Sequence, residues 1–302
     1  MSIPAEALGL ATRDHELRRD RVPHVVARVV LAERPTSAKP GDTAIVLPDG
    51  TIDGFVGGSC AESTVRAHSL ALIDSGQSVL LRISPVPEQH QPGKVCVHNE
   101  CLSGGTLEIF LEPVIPAPLL VVQGDAPIAR ALRSIAAAIG WDVAEAARGE
   151  AIAGDAAAVV VASHGRDEED ILRAALCSDV RYIGLVASRK RGDAVVASLG
   201  MCASHTSRVH TPAGLDLGAR TPQEVALSII AEIIAGRPSP TGRAAADDAI
   251  ARVPGTAVDP VCGMDVAVVE SSLHLDDDGG RVWFCGSGCL RAFAADPSSY
   301  AR

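Results

Sequence analysis

Aromatic side chains are scarce in this chain of 302 residues, which contains four Phe, two Tyr and two Trp. A surface that binds single-stranded nucleic acid by stacking needs more of them. Positive charge is also in deficit, because 27 Lys and Arg stand against 37 Asp and Glu and leave a net charge of −10. Nucleic acids and anionic membranes bind to cationic surfaces. The composition therefore excludes both as expected partners and favours small molecules or other proteins.

Long apolar runs are also lacking. The longest ones, such as residues 156–162, are far too short to span a bilayer. Residues 1–21 lack the apolar stretch of a secretory signal and are dense in charge. Eight cysteines without such a signal indicate a reducing compartment, where thiols serve metal or thiol chemistry rather than disulfides. We therefore expect a cytoplasmic protein with no membrane span.

An α+β domain is expected over residues 1–115. Runs rich in β-branched residues predict strands at 25–30, 42–47, 78–83 and 106–113, and residues 62–75 have the pattern of a helix. Turn residues separate these elements, as at Pro48-Asp49-Gly50.

A doubly wound parallel sheet, Rossmann-like in class, is expected over residues 116–236. Strands at 119–123, 157–162 and 182–186 alternate with helices at 127–139 and 167–176. The clearest helix follows Thr221, with Pro222 in its first turn, Glu224 completing a capping box and Gly236 as its stop. Residues 237–256 are rich in Pro, Ala, Gly and Ser and predict a linker. Residues 257–302 then form a small module.

The dinucleotide-binding motif of such folds is degraded here. After the strand at 119–123, the expected G-x-G-x-x-G reads Gly124-Asp125-Ala126-Pro127-Ile128-Ala129. Pro127 removes a backbone donor, and Asp125 places a carboxylate where phosphate charge should lie. Glu145, about 20 residues further on, is still placed to meet a ribose hydroxyl. NAD(P) binding therefore stays an alternative with weak support.

A loop in the first domain carries chemistry-bearing residues: Gly57, Gly58, Ser59, Cys60 and Glu62. Paired glycines let a backbone approach a ligand, and a thiol near a helix N-terminus has a lowered pKa. The alternative is a glycine turn with a buried cysteine. Cys96 and Cys101 flank a later loop and are weaker candidates to join Cys60, whereas Cys177 and Cys202 have no metal-ligand spacing.

Polar residues also follow two strands of the expected parallel sheet. His164 comes after the strand at 157–162, and Ser188 and Arg189 come after the strand at 182–186, followed by two further cations, Lys190 and Arg191. Ligands of open α/β sheets bind at the carboxyl ends of the strands, so these residues are candidates to hold a cofactor phosphate. The alternatives are a polar loop histidine and a solvated basic helix start.

Three cysteines of the last module, Cys262, Cys285 and Cys289, predict a thiolate metal site. Cys285 and Cys289 are four residues apart at a strand-to-helix boundary, which places both sulfurs on one face of a first helical turn. Thiolates select copper(I) or zinc, and so short a module gains stability from a metal. His274 and Met264 are candidate fourth ligands. The alternative is three reduced cysteines packed as small hydrophobes.

The module resembles the YHS family of small, treble-clef-like metal-binding domains. The resemblance lies in residues 259–264 (Asp-Pro-Val-Cys-Gly-Met), residues 283–289, Phe293 and residues 296–300. It implies metal binding by the three cysteines.

The two larger domains together resemble the XdhC/CoxF (CoxI) family. Four strings carry the resemblance: residues 57–62 (Gly-Gly-Ser-Cys-Ala-Glu), 104–113, 182–191 and 214–226. The resemblance implies an accessory chaperone that binds the molybdenum cofactor, assists its maturation and delivers it to an apo-enzyme of the molybdenum hydroxylase class, such as xanthine dehydrogenase or carbon monoxide dehydrogenase. A cysteine desulfurase is a further implied partner, and homodimerisation is left open. The resemblance favours maturation over turnover. An NAD(P)-dependent oxidoreductase and a metal sensor or buffer stay as alternatives.

Overall fold

The structure is a computed structural model that describes residues 5–87, 93–99, 105–237, 255–277 and 280–300. The chain divides into two compact units. Unit 1 combines Met1–Pro116 with Pro240–Arg302, and unit 2 is Ala117–Ser239. Most of the predicted linker, residues 238–254, lies outside the described residues, as do Cys101 and Gly104.

The N-terminal part of unit 1 is a mixed sheet covered by a helix. In chain order its elements are α1 (Ala5–Arg19), β1 (His24–Ala32), β2 (Thr43–Val46), β3 (Ile52–Gly54), α2 (Ser59–Ser75), β4 (Val79–Ser84), β5 (Lys94–His98) and β6 (Leu107–Val114). The strand order is β3-β2-β1-β6-β4-β5, and β5 joins β4 in parallel. The other pairs are antiparallel.

Helix α2 packs on this sheet because its apolar stripe has helical spacing. Ala61, Val65 and Leu72 are buried against alternate residues of β1, such as Val25 and Val29. The helix ends at Gly76, whose φ of +68° suits a glycine and whose N–H donates to Leu72 O. This packing fixes the position of the residues in the first turn of α2.

Unit 2 is a five-stranded parallel sheet with helices on both faces, as expected from the alternating pattern. Its elements are β7 (Leu119–Gln123), α3 (Pro127–Ala138), β8 (Asp142–Glu145), β9 (Ala156–Val161), α4 (Glu168–Leu176), β10 (Tyr182–Leu185), α5 (Arg189–Ser198), α6 (Ala203–Thr206), β11 (Val209–His210) and α7 (Pro222–Ala235). The strand order is β8-β7-β9-β10-β11.

Alternate residues of β7 supply the two cores of unit 2. Leu120 and Val122 pack with residues of α3 and α7, whereas Leu119 and Val121 pack with residues of α4. The predicted capping box at the start of α7 is present, since Thr221 accepts from Glu224 N and Glu224 accepts from Thr221 N. The doubly wound architecture is confirmed.

The C-terminal residues 255–300, here called the tail, contain β12 (Thr256–Val258), β13 (Asp265–Ala267), β14 (Leu273–Asp277), β15 (Gly280–Phe284), α8 (Ser287–Ala295) and a 3-10 turn (Pro297–Tyr300). Strands β12 and β13 pair antiparallel, and so do β14 and β15. The tail shares one compact unit with the N-terminal part, and β13 contacts α2. The sequence predicts the tail as a module of its own, and the three predicted boundaries between the domains and the linker remain predictions.

Among the described helices, none is both long and apolar enough to cross a membrane.

Candidate functional site

The three cysteines of the tail converge. Cys262 lies in the turn between β12 and β13, Cys285 directly follows β15, and Cys289 lies in the first turn of α8. The Sγ atom of Cys285 is 3.5 Å from that of Cys262 and 3.7 Å from that of Cys289. Cys285 is buried and the other two are half-buried. This arrangement is compatible with one metal ion held by all three sulfurs.

A fourth side chain, Asp259, completes a group of metal-ligating residues within 4.8 Å of one another. Asp259 is fully buried, and its two carboxylate oxygens accept from Cys285 N at 2.8 Å and Val261 N at 2.9 Å. The carboxylate therefore clamps the two chain segments that carry Cys262 and Cys285. This role of Asp259 was not predicted from the sequence, although an Asp before Pro is a common start of a turn closed by its own side chain.

The thiols perturb one another. A hydrogen bond with Cys285 lowers the pKa of Cys262, whereas the thiols of Cys262 and Cys60 raise the pKa of Cys285. Burial raises the pKa of Cys289 to about 12. Three crowded sulfurs cannot all carry negative charge without a cation, and a bound metal reverses that preference.

The two candidate fourth ligands from the sequence are placed differently. His274 Nδ1 lies 2.8 Å from Ser272 O, and the ring packs against Trp283 with centroids 4.9 Å apart. Within the described residues His274 is not part of the metal-ligating group, whose non-cysteine member is Asp259. Met264 packs against the thiol cluster, and its carbonyl accepts from Asp259 N.

The predicted loop of the N-terminal part borders a cavity of about 170 Å³. Gly58, Ser59 and Cys60 line it together with Thr36, Ser37 and Asn99. Cys60 is the second residue of α2, whose N-cap is Gly58, so its sulfur lies at a helix N-terminus as expected. Gly57 is buried with φ +136°, and Glu62 lies in the first turn of α2 but does not line the cavity.

Cys60 also contacts the tail. Its Sγ atom is 4.0 Å from Cys285 Sγ. The next residue, Gly286, lies so close to α2 that a Cβ there would come 2.7 Å from Ser59 Oγ. A second contact joins the two parts, because Ser271 Oγ donates to Asp49 O at 3.0 Å. Cys60 therefore lies between the cavity and the tail's cysteines.

Unit 2 has a larger cavity, of about 400 Å³, at the carboxyl ends of β9 and β10. Its lining includes three of the residues singled out in the sequence, His164, Ser188 and Arg191, whereas Arg189 is exposed in the first turn of α5 and does not line it. Ser188 is the N-cap of α5 and makes no side-chain capping bond, and the first turn of α5 contains no acidic residue. A helix N-terminus with adjacent cations suits an anionic group.

Glu168 organises this cavity. It is 1% exposed, accepts from Gly165 N at 2.7 Å and pairs with the Arg191 guanidinium. The loop that it holds is strained, since His164 and Asp167 have φ of +56° and +53°. Strain of this kind concentrates at functional sites. No sequence signal distinguished Glu168 from its neighbours, because residues 167–170 are all acidic.

The residues of the degraded nucleotide motif make close contacts with other parts of unit 2. Gly124 has φ +100°, and a Cβ there would lie 2.5 Å from Ala162 O, so close packing of β7 against β9 requires a glycine. Arg133 Nη2 donates to Gly124 O at 2.8 Å and lies 3.5 Å from Glu145 Oε1. Pro127 occupies the first turn of α3, where it removes a donor.

The other cysteines that the structure describes lie apart from the thiol cluster of the tail. Cys96 lies on β5 and does not line the Cys60 cavity, and Cys177 is exposed after α4. Cys202 is exposed, with Sγ 3.1 Å from Ser204 Oγ and 2.8 Å from His205 Nδ1. These hydrogen bonds lower the pKa of Cys202 to about 6.

Comparison with protein families gives two matches. Residues 17–84 match the sequence model described as the XdhC and CoxI family, and residues 120–233 match that of the XdhC Rossmann domain. The two matches place the Cys60 loop in one domain type and the His164–Arg191 cavity in the other.

Several known proteins are similar to this chain. YqeB of Escherichia coli (strain K12) is 26% identical over 256 residues, covering 75% of this chain and 46% of YqeB, so the chain spans about half the length of that relative. The molybdenum cofactor insertion chaperone PaoD of the same strain is 25% identical over 262 residues, covering 69% of this chain and 82% of PaoD. A protein of Bacillus subtilis (strain 168), described as a probable subunit of xanthine dehydrogenase, is 34% identical over 82 residues, covering 27% of this chain and 23% of that protein.

Among solved structures, one described as a xanthine dehydrogenase from Bacillus halodurans covers 76% of this chain and 98% of its own, at 16% identity and a TM-score of 0.35. A TM-score this low supports no conclusion about the fold or the function of this chain.

Proposed function

We propose that this chain, which belongs to the XdhC and CoxI family, binds a molybdopterin-type cofactor and assists its insertion into an apo-enzyme of the molybdenum hydroxylase class. Similarity to PaoD over most of that protein's length supports the proposal. A xanthine dehydrogenase type enzyme is the proposed recipient, a cysteine desulfurase a proposed helper, and the cytoplasm the proposed location.

The observation that carries the proposal is the cavity of unit 2. Its volume, about 400 Å³, is in the range of small-molecule sites, and His164, Ser188 and Arg191 give it polar groups on one side. A guanidinium has five N–H donors, so Arg191 has donors beyond the one that pairs with Glu168. With the N-terminus of α5, Arg191 is suited to the phosphate of a pterin cofactor.

Cys60 has a separate proposed role. The cavity beside it, about 170 Å³, is smaller than most small-molecule sites. We assign to Cys60 the handling of a sulfur or metal atom during maturation, which needs a thiolate and little space. The tail is proposed to bind copper or zinc through Cys262, Cys285 and Cys289, whose separations of 3.5 and 3.7 Å fit a shared ion.

The test is anaerobic purification of the chain from a host supplied with molybdate, followed by measurement of released pterin and of molybdenum. The native chain is expected to retain pterin, and Arg191→Ala to lose most of it. Arg173→Ala, which alters a half-exposed cation on α4, is the matched control and should retain pterin. Absence of pterin from the native chain would remove the proposal. Tight binding of NAD(P) by calorimetry would favour the oxidoreductase alternative, which the contacts around Gly124 do not support.

A further inference from the structure

Three sulfur atoms surround the Sγ atom of Cys285. They belong to Cys262, Cys289 and Cys60, at 3.5, 3.7 and 4.0 Å. In a tetrahedral zinc site with Zn–S distances of about 2.3 Å, neighbouring sulfurs are about 3.8 Å apart. All three separations from Cys285 are close to those of a four-thiolate zinc site, although Cys60 lies outside the group of tail ligand atoms that are within 4.8 Å of one another and must move toward it.

The contact between Cys60 and the tail does not depend on the thiols alone. Gly286 packs against Ser59 so closely that a side chain there would clash. At the other end of the interface, a Cβ on Gly50 would lie 2.7 Å from Ser271 Oγ and 2.8 Å from Val269 Cγ2. The contact at Gly286 positions the start of α2 against the turn that carries Cys285. The contact at Gly50 holds the turn between β2 and β3 against the loop between β13 and β14.

The other candidate for the fourth position already has a structural role. Both carboxylate oxygens of Asp259 accept hydrogen bonds from backbone N–H groups inside the tail. A metal bound by this carboxylate would compete with the two backbone donors for its lone pairs. Coordination by Cys60 leaves these hydrogen bonds unchanged and requires its thiol to move toward the tail's ligands.

The charge of such a site is partly compensated. Four thiolates and one Zn(II) carry a net charge of about −2, and the carboxylate of buried Asp259 lies within 4.8 Å of three of the sulfurs. Cys60 lies in the first turn of α2 and Cys289 in the first turn of α8, so two helix N-termini direct their positive ends toward the sulfurs. This orientation stabilises the negative charge of four thiolates.

We propose that Cys60 is the fourth ligand of the tail's metal site, which then holds Zn(II) with four thiolates contributed by both parts of unit 1. The inference rests on the metal binding proposed for the tail and adds to it a ligand from the N-terminal part. Cys60 also lines the cavity of the N-terminal part. A Cys60 thiolate bound to zinc is not available to react in that cavity. Metal loading of the tail and use of Cys60 in the cavity therefore exclude each other.

The test is zinc K-edge X-ray absorption of the full-length reduced chain, loaded with zinc and desalted. We expect four sulfur ligands in the native chain, three sulfurs and one lighter atom in Cys60→Ala, and four sulfurs in the control Cys96→Ala. Three sulfurs and one lighter atom in both the native chain and Cys60→Ala would overturn the inference while leaving the tail's metal binding intact. A native chain that holds no zinc would overturn the inference, and one that also fails to bind copper(I) would overturn the tail's metal binding.

A second measurement needs no substitution, so it is independent of whether Cys60→Ala folds. The native chain is alkylated with iodoacetamide with and without zinc, and each cysteine is followed by mass spectrometry. Zinc should protect Cys60 as strongly as Cys262, whereas exposed Cys177 should react equally in both samples. Protection of Cys262 with unchanged labelling of Cys60 would contradict the proposal.

Discussion

The Sγ atom of Cys60 lies 4.0 Å from that of Cys285, although 225 residues separate them in the chain. This contact joins the first turn of α2 to the cysteine cluster of the tail. The thiol of the N-terminal loop therefore lies beside the thiols of the tail, although the sequence predicts that the two belong to separate domains.

Replacing Cys262 by Ala should reduce the metal content of the purified chain several-fold. Cys262 Sγ is 3.5 Å from Cys285 Sγ, and its loss leaves the tail with two thiols of its own, which hold copper(I) or zinc less tightly than three even where Cys60 contributes. Inductively coupled plasma mass spectrometry of desalted protein measures the effect. Cys177→Ala removes an exposed thiol of unit 2 and should leave metal content unchanged. Equal metal in both variants would mean that the tail's cysteines bind none of it.

Replacing Asp259 by Ala should destabilise the tail by about 2–3 kcal/mol, because two buried backbone N–H groups lose a charged acceptor. Asp259→Asn keeps one acceptor oxygen and should cost roughly half as much. Urea unfolding followed by the fluorescence of buried Trp283, in a Trp141→Phe background, reports on the tail alone. The exposed residue of β13, Asp265, provides the control, and Asp265→Asn should change little. An Asp259→Ala variant as stable as this control would show that the clamp contributes nothing.

Replacing Glu168 by Gln should lower the stability of unit 2 by about 1–2 kcal/mol, because its hydrogen bond with Arg191, whose side chain is 37% exposed, loses the charge of the acceptor. The loop with His164 should also loosen, since Glu168 accepts from Gly165 N. Amide hydrogen exchange of residues 163–167 tests the second effect. Glu169→Gln, at the neighbouring and more exposed position, is the control. Unchanged exchange in Glu168→Gln would contradict the assigned role.

His68 should make stability depend on pH. Burial in α2 lowers its pKa from the usual 6.5 to about 4, and its Nδ1 has no hydrogen-bond partner among the residues that the structure describes. Above pH 6.5 the ring is neutral in both the folded and the unfolded chain, so its contribution does not vary. As pH falls from 6.5 to 4, only the unfolded chain gains the proton, and the free energy of unfolding should fall by about 3 kcal/mol.

The check is urea unfolding of the chelator-treated chain across this pH range. His68→Leu should remove most of that pH dependence, and His15→Gln, at an exposed position, should retain it. If the native chain and His68→Leu lost stability in parallel, the buried ring would not be the cause.

Much of unit 2 could be predicted because its signals are local. The capping box of Thr221 and Glu224 lies within one turn, and the apolar strands alternate with helices at short intervals. The convergence of His164 and Ser188 followed from the rule that parallel strands end at one edge of a sheet. Glu168 escaped prediction because its pairing with Arg191 joins two helices through a buried carboxylate, which no local pattern encodes.

By itself, the sequence determined the main strands and helices, the motifs that resemble two known families and the positions of the thiols. Hydrophobic period, caps and ligand spacing are properties of neighbouring residues. Only the tertiary structure decided that the tail packs on α2, that Asp259 is the buried clamp and that Cys60 faces Cys285. Contacts of this kind depend on which surfaces exclude water together, and that is settled by packing between residues far apart in the chain.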